Sequence, residues 1–280
     1  MDLKSLLRAN ILNPGIELRP LGLEPVGAVL GADGRIEIDG RAFADPDQAM
    51  HHVLSIHQAE TTSQGLQFWG WYDKVRDAWL PLEHARAQWE NLGSEQAVAI
   101  KTSVTHPLRV DCVAPEGGPG QIGMTFCPGK KGEGLYGGRW ERDLMTDLAA
   151  IEQSGGELLI SLVENHEFAL LGVPDFAKTL SQHRLQWLHF PIKDMSRPDE
   201  RFEALWLEHR SKLLAMLAAN QCLVLHCRGG LGRTGMIAAR LLVELGEAPA
   251  SAIRRVRAAR ERAIETFAQE QYVLHKAWLA

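Results

Sequence analysis

Val224-Leu225-His226-Cys227-Arg228-Gly229-Gly230-Leu231-Gly232-Arg233-Thr234-Gly235 is the stretch that decides the reading of this chain. Gln221 to His226 is a short apolar run of strand character. Thr234 to Leu245 has the apolar content of a packed helix, so the glycines fall in a strand-to-helix turn. Such a turn suits a single anion. The amides from Arg228 to Arg233 can curl around it because Gly229, Gly230 and Gly232 tolerate the required angles, and the helix that follows turns its positive end to the same point. The same donors favour a thiolate on Cys227, since a free thiol with a pKa of about 8.5 is mostly protonated at neutral pH. Arg233 can return to the mouth of the loop and grip two phosphoryl oxygens, a fork that Lys cannot copy. Thr234 can donate its hydroxyl to the sulfur, and His226 is read as orienting the loop by hydrogen bonding. Together these residues point to phosphate-monoester chemistry through a cysteinyl-phosphate.

Strand, Cys, glycines, Arg, Thr and helix in this order resemble the signature of cysteine-dependent protein tyrosine and dual-specificity phosphatases. The Gly-Gly-Leu-Gly-Arg version is most similar to the cyclin-dependent-kinase-associated phosphatase group. The resemblance extends over roughly the last three-fifths of the chain, through Pro107-Leu108-Arg109-Val110-Asp111, Ile122 to Lys131, Arg142-Asp143-Leu144 and Gly172-Val173-Pro174-Asp175. It implies a protein tyrosine phosphatase-like α/β fold acting on phosphorylated protein, with Arg228, Gly229, Gly230, Leu231, Gly232 and Arg233 around the phosphate. No cofactor and no metal are expected.

A leaving oxygen departs poorly unless it is protonated as its bond breaks. Asp194 is the expected donor. It lies in His189-Phe190-Pro191-Ile192-Lys193-Asp194, after the apolar run Leu185 to Phe190, and resembles the family's mobile Pro-x-x-Asp acid loop. Asp199 is the rival, but it precedes Glu200 at the start of a helical stretch, where an acidic residue has an obvious capping role. Farther on, Ala263 to Tyr272 resembles the segment that positions water for the second step. Gln269 matches one glutamine position of that segment. Glu265 stands at the other, where packing of a helix N-terminus is an equal alternative. Arg254, Arg255, Arg257, Arg260 and Arg262 form a basic run in which 254, 257 and 260 share a helical face, read either as steering for phosphorylated substrates or as a solvated surface.

With 280 residues, 45% of them hydrophobic, the chain can bury one large core or two moderate ones. The punctuation favours two. Residues 94–280 are expected to form the phosphatase domain, with strands near 108–113, 121–126, 157–163, 185–190 and 221–226 in a central, mostly parallel sheet flanked by helices. Residues 1–93 read as a small α+β recognition domain: a helix over Leu3 to Leu12, a hairpin turned at Ala32-Asp33-Gly34, a helix opened by Asp45-Pro46, and a strand pair over 65–71 and 78–82. Ile36 to Phe43, Asp45-Pro46 and Phe68-Trp69 resemble the small domain attached to restriction-associated adenine methylases, which implies a partner that is a protein or a nucleic acid. Charge argues against backbone-driven DNA binding. Residues 1–93 hold 8 Lys and Arg against 13 Asp and Glu, which accounts for the whole net charge of −5. Trp69, Trp71 and Trp79 read as core.

The apolar stretches fall short of the roughly 18 residues a membrane helix needs, and the charged start lacks a secretory core, so a cytoplasmic location without membrane contact is expected. Cys112, Cys127, Cys222 and Cys227 have no zinc-type spacing, and no structural disulfide is expected. Two other functions stand beside protein dephosphorylation. One is a binding protein that captures a phosphorylated partner. The other is hydrolysis of a non-protein substrate such as a phosphoinositide or an RNA 5′ phosphate, although Arg228 and Leu231 lack the paired lysines that phosphoinositide phosphatases use.

Overall fold

The computed structural model describes the chain apart from residues 1–2, 10, 62, 74–77, 93–99, 134–138 and 276–280. Two compact units emerge. The first takes the N-terminal residues up to Ala97 and returns for Glu265–Gln271, and most of the rest forms the second. The expected boundary at 93/94 lies outside the described residues. The expectation of one unbroken domain over 94–280 is corrected by Glu265–Gln271, which is built into the first unit.

The first unit contains α1 (Leu3–Arg8), β1 (Glu17–Pro20), β2 (Ala28–Leu30), β3 (Ile36–Ile38), β4 (Arg41–Phe43), α2 (Pro46–His57), α3 (Gly65–Phe68), β5 (Trp69–Asp73), β6 (Ala78–Pro81) and α4 (Leu82–Leu92). Its sheet has the order β4-β3-β2-β1-β5-β6, antiparallel throughout. Alternation places Ala28, Leu30, Ile36 and Ile38 inward while Val29 and Glu37 face out. Asp45 caps α2 by accepting from Asp47 N–H, and Pro46 fits the first turn, where no donor is needed. The expected strand from Gly65 opens instead as a helical turn. The Gly65 amide donates to Asp47 Oδ1 at 2.6 Å, and a Cβ there would lie 2.3 Å from the Pro46 carbonyl carbon, so the backbone is pinned against the start of α2. Trp69 is fully buried, and Arg19 lies 4.4 Å from the Trp79 ring.

Glu265–Gln271 completes this unit's core. Phe267, 1% exposed, packs edge-on to Phe68 with centroids 5.5 Å apart. Gly22 admits the segment because any Cβ there would come within 2.4 Å of Ala268 N. Ser63 donates to Glu270, and Gln271 Nε2 donates to the Glu60 carbonyl at 2.6 Å.

The second unit contains β7 (Ile100–Lys101), β8 (Asp111–Val113), β9 (Gln121–Phe126), β10 (Lys131–Glu133), β11 (Arg139–Glu141), α5 (Leu144–Gln153), β12 (Gly156–Ser161), α6 (Asn165–Leu170), α7 (Phe176–Leu180), β13 (Gln186–His189), α8 (Glu200–Ala218), β14 (Cys222–Cys227), α9 (Gly232–Glu244) and α10 (Pro249–Ala259); α11 (Phe267–Leu274) starts in the first unit and ends in this one. Its main sheet runs β13-β12-β14-β9-β8, parallel except where β8 meets β9. The central strand β14 is buried at all six positions, the pattern of a strand covered on both faces. Helices α5, α8 and α9 lie against β12, β14 and β9. The carboxyl ends of β9, β12 and β14 therefore meet at one edge, where the Cys227 loop begins. Among the described residues antiparallel pairs outnumber parallel ones, because the first unit and the small β10-β11 pair add their own ladders.

Among the described residues, no helix is long and apolar enough to cross a membrane. Phe267→Ala is expected to destabilise the first unit by about 3–5 kcal/mol, read as a lower urea midpoint of Trp69 fluorescence.

Candidate active site

Cys227 ends β14, 3% exposed, and the chain turns through Arg228 to Leu231 before α9 begins at Gly232. Gly230 holds φ at 72°, and a Cβ on it would stand 2.3 Å from the Thr125 carbonyl oxygen, so both conformation and space require glycine. The Gly230 amide donates to Cys227 Sγ at 3.2 Å. The carbonyl of the same peptide plane, on Gly229, accepts from Arg260 Nη2 at 3.3 Å, and the Gly230 carbonyl accepts from Arg260 Nε. A trans peptide directs its N–H and C=O oppositely, so Arg260 turns the amide toward the sulfur by holding the carbonyl away from it. Asp111 anchors Arg260 at 2.6 Å. Arg257 donates to the carbonyls of Ala263 and Ile264, each at 3.1 Å. The basic run thus spends Arg257 and Arg260 on backbone carbonyls rather than on steering.

Arg233 is 1% exposed and densely paired. Its Nη1 and Nη2 donate to Glu167 at 2.6 and 2.9 Å, Nη1 also donates to the Ile192 carbonyl at 2.9 Å, and Nη2 lies 2.8 Å from Asp194 Oδ1. Burial works against the charge, but Asp194, Glu167 and Cys227 outweigh it and hold the guanidinium above its ordinary range. Among the described residues two buried donors here lack a partner: Arg233 Nε and Thr234 Oγ1. Both sit in the first turn after the Cys227 loop.

Glu167 was not singled out from sequence. The available signal was local: Glu164 and Glu167 form a capping box in which Glu167 also accepts from Glu164 N–H at 2.7 Å. One carboxylate thus caps α6 and holds the Arg233 guanidinium. The two acid candidates separate cleanly. Asp194 is brought to Arg233, whereas Asp199 caps α8 by accepting from Phe202 N–H at 3.0 Å, and that hydrogen bond leads the lowering of its pKa.

His226 is fully buried. Its Nε2 lies 2.6 Å from Ser161 Oγ, which also accepts from Trp187 Nε1 at 2.9 Å, and Nδ1 faces the Cys227 carbonyl at 3.4 Å. Burial pushes this imidazole down to about 3, so it orients the loop as a neutral ring. Arg228, Leu231 and Gly232 complete the turn, with the Leu231 carbonyl accepting from Gly235 and Ile264 N–H. Gln269 and Glu265 belong to the first unit. Gln269 Oε1 accepts from the amides of Glu265 and Thr266 at 3.0 and 3.3 Å, and Glu265 pairs with His84 at 3.2 Å. The water-positioning role expected of Gln269 competes with this cap.

Residues 137–247, from before α5 to just past α9, match the family model described as "Tc-R-P: Polymorphic toxin system, DSP-PTPase phosphatase". Over that span the chain is similar to dual-specificity phosphatases. Cyclin-dependent kinase inhibitor 3 of Rattus norvegicus is 29% identical to it over 155 residues, covering 54% of this chain and 69% of that protein. The Sus scrofa protein of the same name is 28% identical over the same share. A crystal structure of kinase associated phosphatase, its catalytic-site cysteine substituted by serine, shares the fold with a TM-score of 0.54 at 24% identity, covering 62% of this chain and 97% of that one.

Two outcomes are expected from this geometry. Glu167→Gln removes the buried two-point charge partner of Arg233 and should cost the second unit about 3 kcal/mol, measured by thermal or urea unfolding. The His226 pKa is depressed from 6.5 to about 3 on folding, so the unfolded chain binds a proton that the folded chain refuses. Its stability contribution is complete above pH 6.5 and falls as pH drops toward 3, by about 1.4 kcal/mol per pH unit. Acid unfolding curves of His226→Asn should lose that share of the slope.

Proposed function

We propose that the chain is a metal-independent phosphomonoesterase of the protein tyrosine and dual-specificity type, acting on phosphorylated protein. The observation that carries this reading is the pair of unpartnered buried donors, Arg233 Nε and Thr234 Oγ1, beside a cysteine whose sulfur already accepts a loop amide. Such donors are costly unless a ligand satisfies them. A phosphoryl oxygen does so for Arg233 Nε, and the thiolate for Thr234 Oγ1. The names of the relatives, a cyclin-dependent kinase inhibitor and a kinase associated phosphatase, support a phosphoprotein substrate.

In this mechanism the Cys227 thiolate attacks phosphorus while Arg233 and the amides from Arg228 to Arg233 hold the three non-bridging oxygens. The phosphate takes over the Arg233 contact that Asp194 holds, which frees the carboxyl for the leaving oxygen. The P–O bond breaks as Asp194 delivers its proton there. Water then attacks the cysteinyl-phosphate, Asp194 accepts the proton, and the P–S bond breaks to release inorganic phosphate. Thr234 donates its hydroxyl to the departing thiolate.

Hydrolysis of p-nitrophenyl phosphate in EDTA tests this. Cys227→Ser should abolish turnover, Asp194→Ala should lower kcat by about 10²–10⁴, and Asp199→Ala should lose stability but keep most of its turnover. No turnover by the folded, reduced wild type would leave a phosphate-binding protein and overturn the enzymatic reading.

A further inference from the structure

Lys130 stands next to the chemistry above without a part in it. Its place follows from sequence. Cys127-Pro128-Gly129-Lys130 is a tight turn with proline second and glycine third, closed by Lys130 N–H donating to the Cys127 carbonyl at 3.3 Å. Gly129 has φ 73°, and a Cβ on it would lie 2.6 Å from Leu144 Cβ. The Gly129 amide donates to Asp147 Oδ2 at 2.8 Å, and Asp147 is itself held by Arg142 in a buried two-point pair at 2.7 and 2.8 Å. The Arg142 amide in turn donates to the Lys130 carbonyl at 3.3 Å. The turn is therefore tied down on both sides.

From this mount Lys130 Nζ lies 4.3 Å from the centroid of the Phe126 ring and 4.5 Å from that of Trp140. Phe126 is the register partner of Cys227 across β9 and β14. The aromatic faces hold the ammonium beside the strand end that carries the nucleophile. Lys131 pairs with Glu141, whereas Lys130 has no carboxylate partner among the described residues. The groups that bear on it are Cys127 and Cys227, which favour its charge, and Arg142 and Arg228, which oppose it. A cation caged by aromatic rings, crowded by two arginines and unneutralised is a cation waiting for an anion.

We propose, on the phosphatase reading above, that Lys130 is a second phosphoryl-binding cation of the Cys227 site, contacting the substrate's phosphate dianion from the Phe126 and Trp140 side. Burial pushes its pKa from 10.5 down to about 8, so the free site loses this charge within the alkaline working range. Below pH 8 the ammonium assists binding, and above it the assistance fades.

The test is p-nitrophenyl phosphate hydrolysis from about pH 6 to pH 9.5 by wild type, Lys130→Met and Lys130→Arg. Lys130→Met should raise KM about tenfold with kcat within about threefold, an energy of about 1.4 kcal/mol. Wild-type KM should climb as pH passes about 8, and Lys130→Arg should hold KM low there. A Met variant with wild-type KM, or an Arg variant with the wild-type pH profile, overturns the proposal. Should the Met variant fail to fold, the Arg profile decides. Calorimetric binding of inorganic phosphate to Cys227→Ser protein, with and without Lys130→Met, needs no turnover. A Kd about tenfold weaker without Lys130 supports the proposal even if hydrolysis fails, and equal or absent binding in both overturns it.

Discussion

The second unit depends on keeping one guanidinium charged and buried. A bare charge in the interior costs several kcal/mol, and Arg233 meets that cost by recruiting acceptors from three different segments: Glu167 at the start of α6, the Ile192 carbonyl and Asp194 in the loop after β13, and more weakly the Leu162 carbonyl beyond β12. These segments are far apart in sequence and meet only because β12, β13 and β14 run parallel with their carboxyl ends together. The buried charge is thus also the tie that holds these loops together. What each acceptor does follows from geometry. Glu167 takes two guanidinium nitrogens and caps a helix, so it stays. Asp194 holds one point and is 40% exposed, so it can leave.

A second layer of cations works on the backbone rather than on the ligand. Arg260 is positioned by Asp111 and holds two carbonyls of the turn, which settles the direction of the amide facing Cys227. A loop of glycines has many conformations available, and selecting one costs conformational entropy. Arg260, the Leu231 carbonyl contacts and the tight fit of Gly230 against Thr125 supply that selection before any ligand arrives.

Local pattern carried much of this into the sequence. The strand over 121–126 falls where it was read, β14 is displaced by a single residue, and Asp199 does cap a helix while Asp194 reaches the arginine. Each of these rests on a signal within a dozen residues. Glu167, Lys130 and Arg260 have local signals only for a helix cap, a tight turn and a basic run; what they do near Cys227 lies with groups 66, about a hundred and 31 residues away along the chain. The first unit shows the same divide. Its hairpin and the cap of α2 were legible, while the helical turn at Gly65 was not, since a contact with Asp47 overrides the strand pattern. Nothing in Phe68-Trp69-Gly70-Trp71 gave a hint of Phe267.

Phe267 and its neighbours also set an order of events during synthesis. The first unit is encoded almost wholly at the start of the chain, yet its core lacks a wall until residues 265–271 have been made. As the polypeptide emerges, the earlier part must wait with an open apolar face while the Cys227 sheet, whose strands all precede residue 228, is already complete. The first unit therefore stays open until the stretch directly after Ile264, at φ 62°, has been made. A chain cut short before that point has every strand of the Cys227 sheet but an N-terminal core that lacks Phe267.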